Sequence, residues 1–120
     1  MRKNRILVIA LLGYSVIALS GCAQREITNA NSKGRNIICF GDSMTAGYGV
    51  NPGEDYPSML GRLLNLEVLN KGVDGNTTSD GLQRLKGDVL DQEPRLVIIE
   101  FGGNDFLKKI PKETTVNNIR

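Results

Sequence analysis

The 120-residue sequence contains no histidine and no tryptophan, and it has only two cysteines. Two cysteines cannot build a disulfide-rich scaffold, and a zinc site of the usual kind needs histidine or more cysteine, so we expect no such metal site. The absence of histidine also excludes a complete Ser-His-Asp triad within these residues. With 40% hydrophobic and 23% charged residues, the composition is that of a folded chain, and the length allows one domain at most.

Residues 22–120 carry almost no net charge. Arg2, Lys3 and Arg5 are the basic residues of that segment, and removing them from the 15 basic residues leaves 12 against 13 acidic residues. Such a near-neutral body lacks the clustered positive field that phosphate binding requires, so no nucleic-acid partner is expected. We interpret the basic residues in 108–112 as a solvated face.

Residues 1–21 have the anatomy of a secretory signal peptide. A basic start over residues 1–5 precedes an apolar run at 6–19. This run is shorter than the about 20 residues that a membrane span needs. The ending Leu19–Cys22 (Leu-Ser-Gly-Cys) resembles a bacterial lipobox. The alternative is a plain anchor helix in which the cysteine is incidental.

The lipobox resemblance implies that Cys22 carries acyl chains and holds the protein on a membrane after export across the cytoplasmic membrane. More than one acyl chain anchors a protein stably on a membrane, whereas a single acyl chain gives only marginal membrane binding. In a host with two membranes, Ala23 would favour the outer membrane and the periplasm. Residues 22–34 are polar and rich in Asn, Ser and Gly, which predicts a flexible tether before a monomeric domain over 35–120.

Strand and helix patterns alternate along residues 35–120. Apolar runs at 36–40, 66–70 and 96–99 predict three buried strands, and Cys39 in the first is expected to be a core residue. One helix is predicted to begin after the cap Asp55, a second after Thr78 or Ser79, and a third within 112–120. The apolar stripes expected to face the core are Tyr56, Met59, Leu60, Leu63 and Leu64 in the first helix and Leu82, Leu85 and Val89 in the second. The alternation predicts an α/β fold, a three-layer, flavodoxin-like α/β/α arrangement with a parallel sheet, incomplete at the C-terminus.

Polar, glycine-rich loops follow all three predicted strands, at 41–49, 70–77 and 102–105. Ligands of open α/β sheets bind beyond the carboxyl ends of the strands, so these loops are expected to converge. They bring a serine hydroxyl, glycine amides and an asparagine side chain. Acyl transfer needs such a set, because a hydroxyl attacks the carbonyl and fixed N–H donors hold the resulting oxyanion.

At these loops the sequence resembles the SGNH, or GDSL, hydrolase superfamily. Gly41–Met44 (Gly-Asp-Ser-Met) matches its first block, with Met in place of the usual Leu; 70–77 and 102–105 match the second and third. The resemblance implies that Ser43 is the nucleophile and that the Ser43 N–H, the Gly75 N–H and the Asn104 side chain form the oxyanion hole. We interpret Asp42 and Asp105 as hydrogen-bonding supports of their loops. The match is closest to the branch of periplasmic thioesterase/lysophospholipases and arylesterases.

The last block of that superfamily, Asp-x-x-His, supplies the base and is absent from this sequence. We expect the sequence to be an N-terminal fragment that is inactive alone; the alternative is a degenerate relative without the triad. The resemblance implies hydrolysis of small-molecule carboxylic esters or thioesters through an acyl-enzyme on Ser43, with no metal and no cofactor. The reaction would be of arylesterase, lysophospholipase or acyl-thioesterase type. The alternative is a non-catalytic lipoprotein that binds an acylated glycan or lipid in the same cleft. Taken singly, Ser43 could also be a helix cap and Asn104 a turn residue.

Overall fold

The structure is a computed structural model that describes residues 31–120. The predicted signal peptide, Cys22 and most of the predicted tether lie outside these residues. The elements are β1 (Ile37–Gly41), α1 (Ser43–Ala46), α2 (Tyr56–Leu64), β2 (Val68–Gly72), α3 (Thr78–Asp88), a 3₁₀ turn (Leu90–Gln92), β3 (Leu96–Glu100), α4 (Gly103–Leu107) and α5 (Lys112–Ile119).

The three strands form one parallel sheet in the order β2-β1-β3, which confirms the predicted α/β fold with a parallel sheet. Every residue of β1 is buried, as expected for a central strand of a parallel sheet. The second strand begins at Val68, two residues later than predicted. Asn65 ends α2 in a left-handed conformation and the Leu66 N–H still bonds to the Gly61 carbonyl, so the intervening residues belong to the connection.

Alternate residues of β1 face opposite layers of helices. Ile38 and Phe40 pack with Leu85 and Val89 from the α3 segment and form the main core. Cys39 points to the other face and is fully buried, as predicted for a core residue. Burial raises the pKa of its thiol, which keeps the thiol protonated.

The helix starts follow local hydrogen bonding. Asp55 caps α2 as predicted and accepts from the Ser58 N–H at 2.9 Å. The cap of α3 is Thr77, one residue earlier than predicted, because Thr77 and Asp80 form a reciprocal capping box. The predicted loop 102–105 is wrong in part, since helix α4 already begins at Gly103.

The predicted apolar stripes are only partly buried. Leu63 of α2 is 82% exposed and Leu82 of α3 is 47% exposed. Smaller residues make the close contacts instead: Gly61 approaches Val68 of β2, and Gly81 leaves room for the ring of Phe101, the residue after β3. The glycines allow α2 and α3 to pack closely at these points, and the larger side chains Leu63 and Leu82 lie on the exposed side of their helices.

The tether predicted to end at residue 34 already contacts the domain. The Ser32 hydroxyl donates to the Pro94 carbonyl at 3.1 Å. In the part of the chain that the structure describes, no helix combines the length and apolarity needed to cross a bilayer.

Candidate active site

Ser43 follows the buried strand β1 and is the first residue of the short helix α1. Asp42 caps this helix, because its carboxylate accepts from the Met44 N–H at 3.0 Å. The Asp42 carbonyl accepts from the Ala46 N–H at 2.9 Å and closes the turn. The structure thus gives the capping role to Asp42 and leaves the Ser43 hydroxyl free of it.

Two glycines let α1 lie directly on the carboxyl ends of β1 and β2. A Cβ atom at Gly72 would overlap the backbone of Thr45 and Ala46, and one at Gly41 would overlap the Thr45 side chain. Thr45 is fully buried in this contact. The absence of these two side chains therefore fixes α1, and with it the half-buried Ser43, at the sheet edge.

Gly75 lies in the loop between β2 and α3. Its φ of +73° is in the left-handed region that glycine adopts without strain. The turn is closed by the Asn76 N–H, which donates to the Val73 carbonyl at 3.3 Å, and Lys108 Nζ donates to the Gly75 carbonyl at 3.0 Å. Both contacts hold this loop in place.

Asn104 connects the two loops that carry Ser43 and Gly75. Its Nδ2 atom donates to the Asn76 carbonyl at 2.9 Å and lies 3.4 Å from Oδ2 of Asp42, a long and weak hydrogen bond. Among residues 31–120, the backbone N–H groups of Ser43 and Gly75 have no hydrogen-bond acceptor. The structure therefore brings the three predicted segments together through Asn104 and leaves these two backbone N–H groups unpaired among the described residues.

This meeting point lies where ligands bind in sheets of this order, in the crevice beyond the carboxyl ends of β1 and β3. A hydroxyl beside several N–H donors can attack a carbonyl and hold the resulting oxyanion. Within residues 31–120, no group of three or more Asp, Glu and Cys side chains is arranged to hold a metal ion.

Asp105 reaches well beyond its own loop. The carboxylate is 1% exposed and accepts from the Thr78 N–H at 2.9 Å, from the Thr78 hydroxyl, and from the Thr115 hydroxyl at 3.1 Å. Burial opposes ionisation, but these hydrogen bonds outweigh it and lower the pKa of Asp105. A charged carboxylate thus joins α4 to α3 and α5.

Glu100 ends β3 behind the site and was not singled out from the sequence. It accepts from the Thr45 hydroxyl at 3.2 Å, and Thr45 also contacts the Tyr56 hydroxyl at 3.1 Å. Burial, followed by the charge and hydrogen bond of Asp42, raises the pKa of Glu100. The one feature of the sequence that could have pointed to Glu100 is that an acidic residue ends an otherwise apolar strand.

We predict that Glu100→Gln stabilises the protein increasingly as the pH rises. Since the pKa of Glu100 is raised on folding, the folded state binds more protons than the unfolded chain just above the ordinary glutamate pKa. The free energy of unfolding of the wild type therefore falls as the pH rises from the ordinary glutamate pKa to the raised pKa of folded Glu100. Glutamine resembles the protonated acid and does not ionise, so the variant lacks this fall. Urea unfolding of both proteins between pH 4 and 8 should show a difference that grows with pH; a constant difference would contradict the prediction.

Known proteins resemble this chain in sequence and in fold. The curated relatives include an arylesterase from Vibrio mimicus, 34% identical over 99 residues, which are 78% of this chain and 49% of the relative. The uncharacterized lipoprotein YqeF of Bacillus subtilis is 38% identical over 78 residues, 58% of this chain and 32% of the relative. Among solved structures, AlinE4, an SGNH-hydrolase family esterase, is 43% identical with a TM-score of 0.67, covering 72% of this chain and 50% of that one.

The chain spans about half the length of the curated relatives it matches first. The model of the GDSL-like lipase/acylhydrolase family matches residues 39–120, which include all three loops of the site. This match confirms the resemblance seen in the sequence, and the chain belongs to the GDSL-like lipase/acylhydrolase family.

Proposed function

We propose that the complete protein is a serine ester hydrolase that acts on small-molecule carboxylic esters or thioesters. The observation that carries this proposal is the position of Asn104, whose side-chain amide contacts the loops of both Ser43 and Gly75. The esterase names of relatives support the same reaction class.

In the proposed reaction, Ser43 Oγ gives its proton to a general base and bonds to the carbonyl carbon. The carbonyl electron pair moves to oxygen, and the Ser43 N–H, the Gly75 N–H and the Asn104 side chain stabilise the oxyanion. Collapse expels an alcohol or thiol, which takes the proton, and leaves an acyl group on Ser43. Water then attacks the acyl-enzyme and releases the acid. Family resemblance assigns the base to the Asp-x-x-His block, which this sequence does not contain.

The direct test is labelling of the complete gene product with a fluorophosphonate, which phosphonylates activated serines. We expect one phosphonyl group on the wild type, located on the peptide that contains Ser43, and no label on Ser43→Ala. Ser79→Ala is the matched control, because Ser79 is a half-buried serine outside the proposed site, and it should label normally. Absence of labelling in the folded protein would favour the non-catalytic lipoprotein.

We also propose that the protein is exported and lipidated on Cys22, which would place it on a membrane surface. The lipobox-like ending Leu19–Cys22 and the lipoprotein relative support this. In a bacterial host grown with a radiolabelled fatty acid, the wild type should carry the label and Cys22→Ser should not, whether or not the apolar run at 6–19 is removed. Ser32→Ala is the control and should be labelled like the wild type. Label on Cys22→Ser, or none on the wild type, would contradict lipidation at this residue.

A further inference from the structure

Arg84 of α3 contacts three separate segments at the carboxyl edge of the sheet. Its Nη2 donates to the Gly41 carbonyl at 2.7 Å and its Nη1 to the Lys71 carbonyl at 2.9 Å, so it joins the ends of β1 and β2. Its Nε donates to Oδ1 of Asn76 at 2.8 Å, in the loop that follows β2. The side chain is 19% exposed, so these bonds are largely shielded from water.

The guanidinium group itself is held rigidly. Its central carbon lies 4.4 Å from the centre of the Phe40 ring, a distance at which cation and ring attract. Nη1 also donates to Asp88 at 2.9 Å, one turn further along α3. Four of the five guanidinium N–H bonds thus have acceptors on a planar group with fixed geometry.

Two of these contacts, to Gly41 and to Asn76, lie close in sequence to proposed oxyanion donors. Gly41 precedes Ser43 by two residues, and Asn76 directly follows Gly75. The backbone carbonyl of the same Asn76 accepts from the Asn104 side chain. Arg84 touches none of the donors, yet it holds the chain beside two of them and the residue that orients the third.

We infer that Arg84 is a positioning residue that sets the geometry of the oxyanion hole, an inference that rests on the proposed function. A misplacement of about 1 Å at a catalytic group can lower the rate by about 100-fold. Lysine cannot replace Arg84, because all its N–H donors are on one nitrogen and cannot span two strand ends and a loop.

The experiment measures kcat and KM of the complete gene product for a p-nitrophenyl ester, at a temperature where each variant is folded. We expect Arg84→Lys to lower kcat by about 10- to 100-fold and to change KM little, since only the transition state holds an oxyanion. Arg95→Lys is the matched control: this exposed arginine precedes β3 at the opposite edge of the sheet and should leave both constants unchanged.

A double-mutant cycle separates positioning from a general loss of stability. In an Asn104→Ala background, Arg84→Lys should lower kcat by only about 3-fold or less, because part of what Arg84 positions is already absent. If Arg84→Lys does not fold, Asn76→Ala replaces it: that change removes only the Arg84 link and keeps the carbonyl that binds Asn104. It should lower kcat by about 10-fold.

Two results would overturn the inference while leaving the proposed function intact. One is an active wild type whose kcat is unchanged by Arg84→Lys or, where that variant does not fold, by Asn76→Ala. The other is a variant that raises KM alone, which would make Arg84 a substrate contact. An inactive, unlabelled wild type would instead remove the proposed function, and this inference with it.

Discussion

Ser43→Ala is expected to abolish ester hydrolysis by the complete gene product, with kcat lower by about 10⁴-fold or more, because no acyl-enzyme can form. The loss should come without a loss of stability. The Asp42 carboxylate caps α1 and the buried Thr45 anchors it, whereas the Ser43 side chain makes no hydrogen bond among the described residues. The midpoint of thermal unfolding should therefore stay close to that of the wild type.

The measurement is kcat for a p-nitrophenyl ester, with Ser79→Ala as the control that keeps activity. A Ser43→Ala protein that retains a tenth of the wild-type kcat would exclude Ser43 as the nucleophile. A large drop in the unfolding midpoint would show that the hydroxyl supports the fold, and the kinetic result would then not identify the nucleophile.

The largest effect on stability is expected from Asp105→Ala. The carboxylate is buried and accepts from Thr78 twice and from Thr115 once, so its removal leaves a buried N–H and two hydroxyls without their acceptor. Hydrogen bonds to a charged group contribute about 1.5–3 kcal/mol each, and the bonds are not additive. We expect the free energy of unfolding at pH 7 to fall by about 3 kcal/mol or more.

The pH dependence of Asp105→Ala has a definite sign. Because the pKa of Asp105 is lowered on folding, its contribution is present above the ordinary aspartate pKa and is lost as the pH falls through the folded-state pKa. Urea unfolding should show the gap between wild type and variant narrowing toward low pH. Asp91→Asn is the control: it breaks an exposed ion pair with Lys86 and should cost less than about 1 kcal/mol. A gap of that size for Asp105→Ala would contradict the network described above.

Local chemistry made the framework of this chain predictable. The apolar run before Gly41 predicted a buried strand, and Asp55 was placed to cap the helix that follows. The three motif loops follow strands of one parallel sheet, so their convergence was a consequence of topology.

The polar network beneath the site was not predictable, because its partners are distant in the sequence. Arg84 lies 43 residues from Gly41, and nothing near either residue indicates the bond between them. Glu100 similarly meets Thr45 across 55 residues. Helical periodicity also could not show that Gly81 would be buried against Phe101 while Leu82 remained exposed.

The strand order β2-β1-β3 determines when the parts of the proposed oxyanion hole come together during synthesis. Asp42 and Asn104 are 62 residues apart, and their contact requires β3 to have docked beside β1 after crossing the sheet. Non-local parallel pairings form slowly, because the entropy of closing the loop is lost before the contacts compensate it. An early intermediate with only β1 and β2 paired would hold Ser43 without Asn104, so the nascent chain should lack a complete oxyanion hole until its third strand is in place.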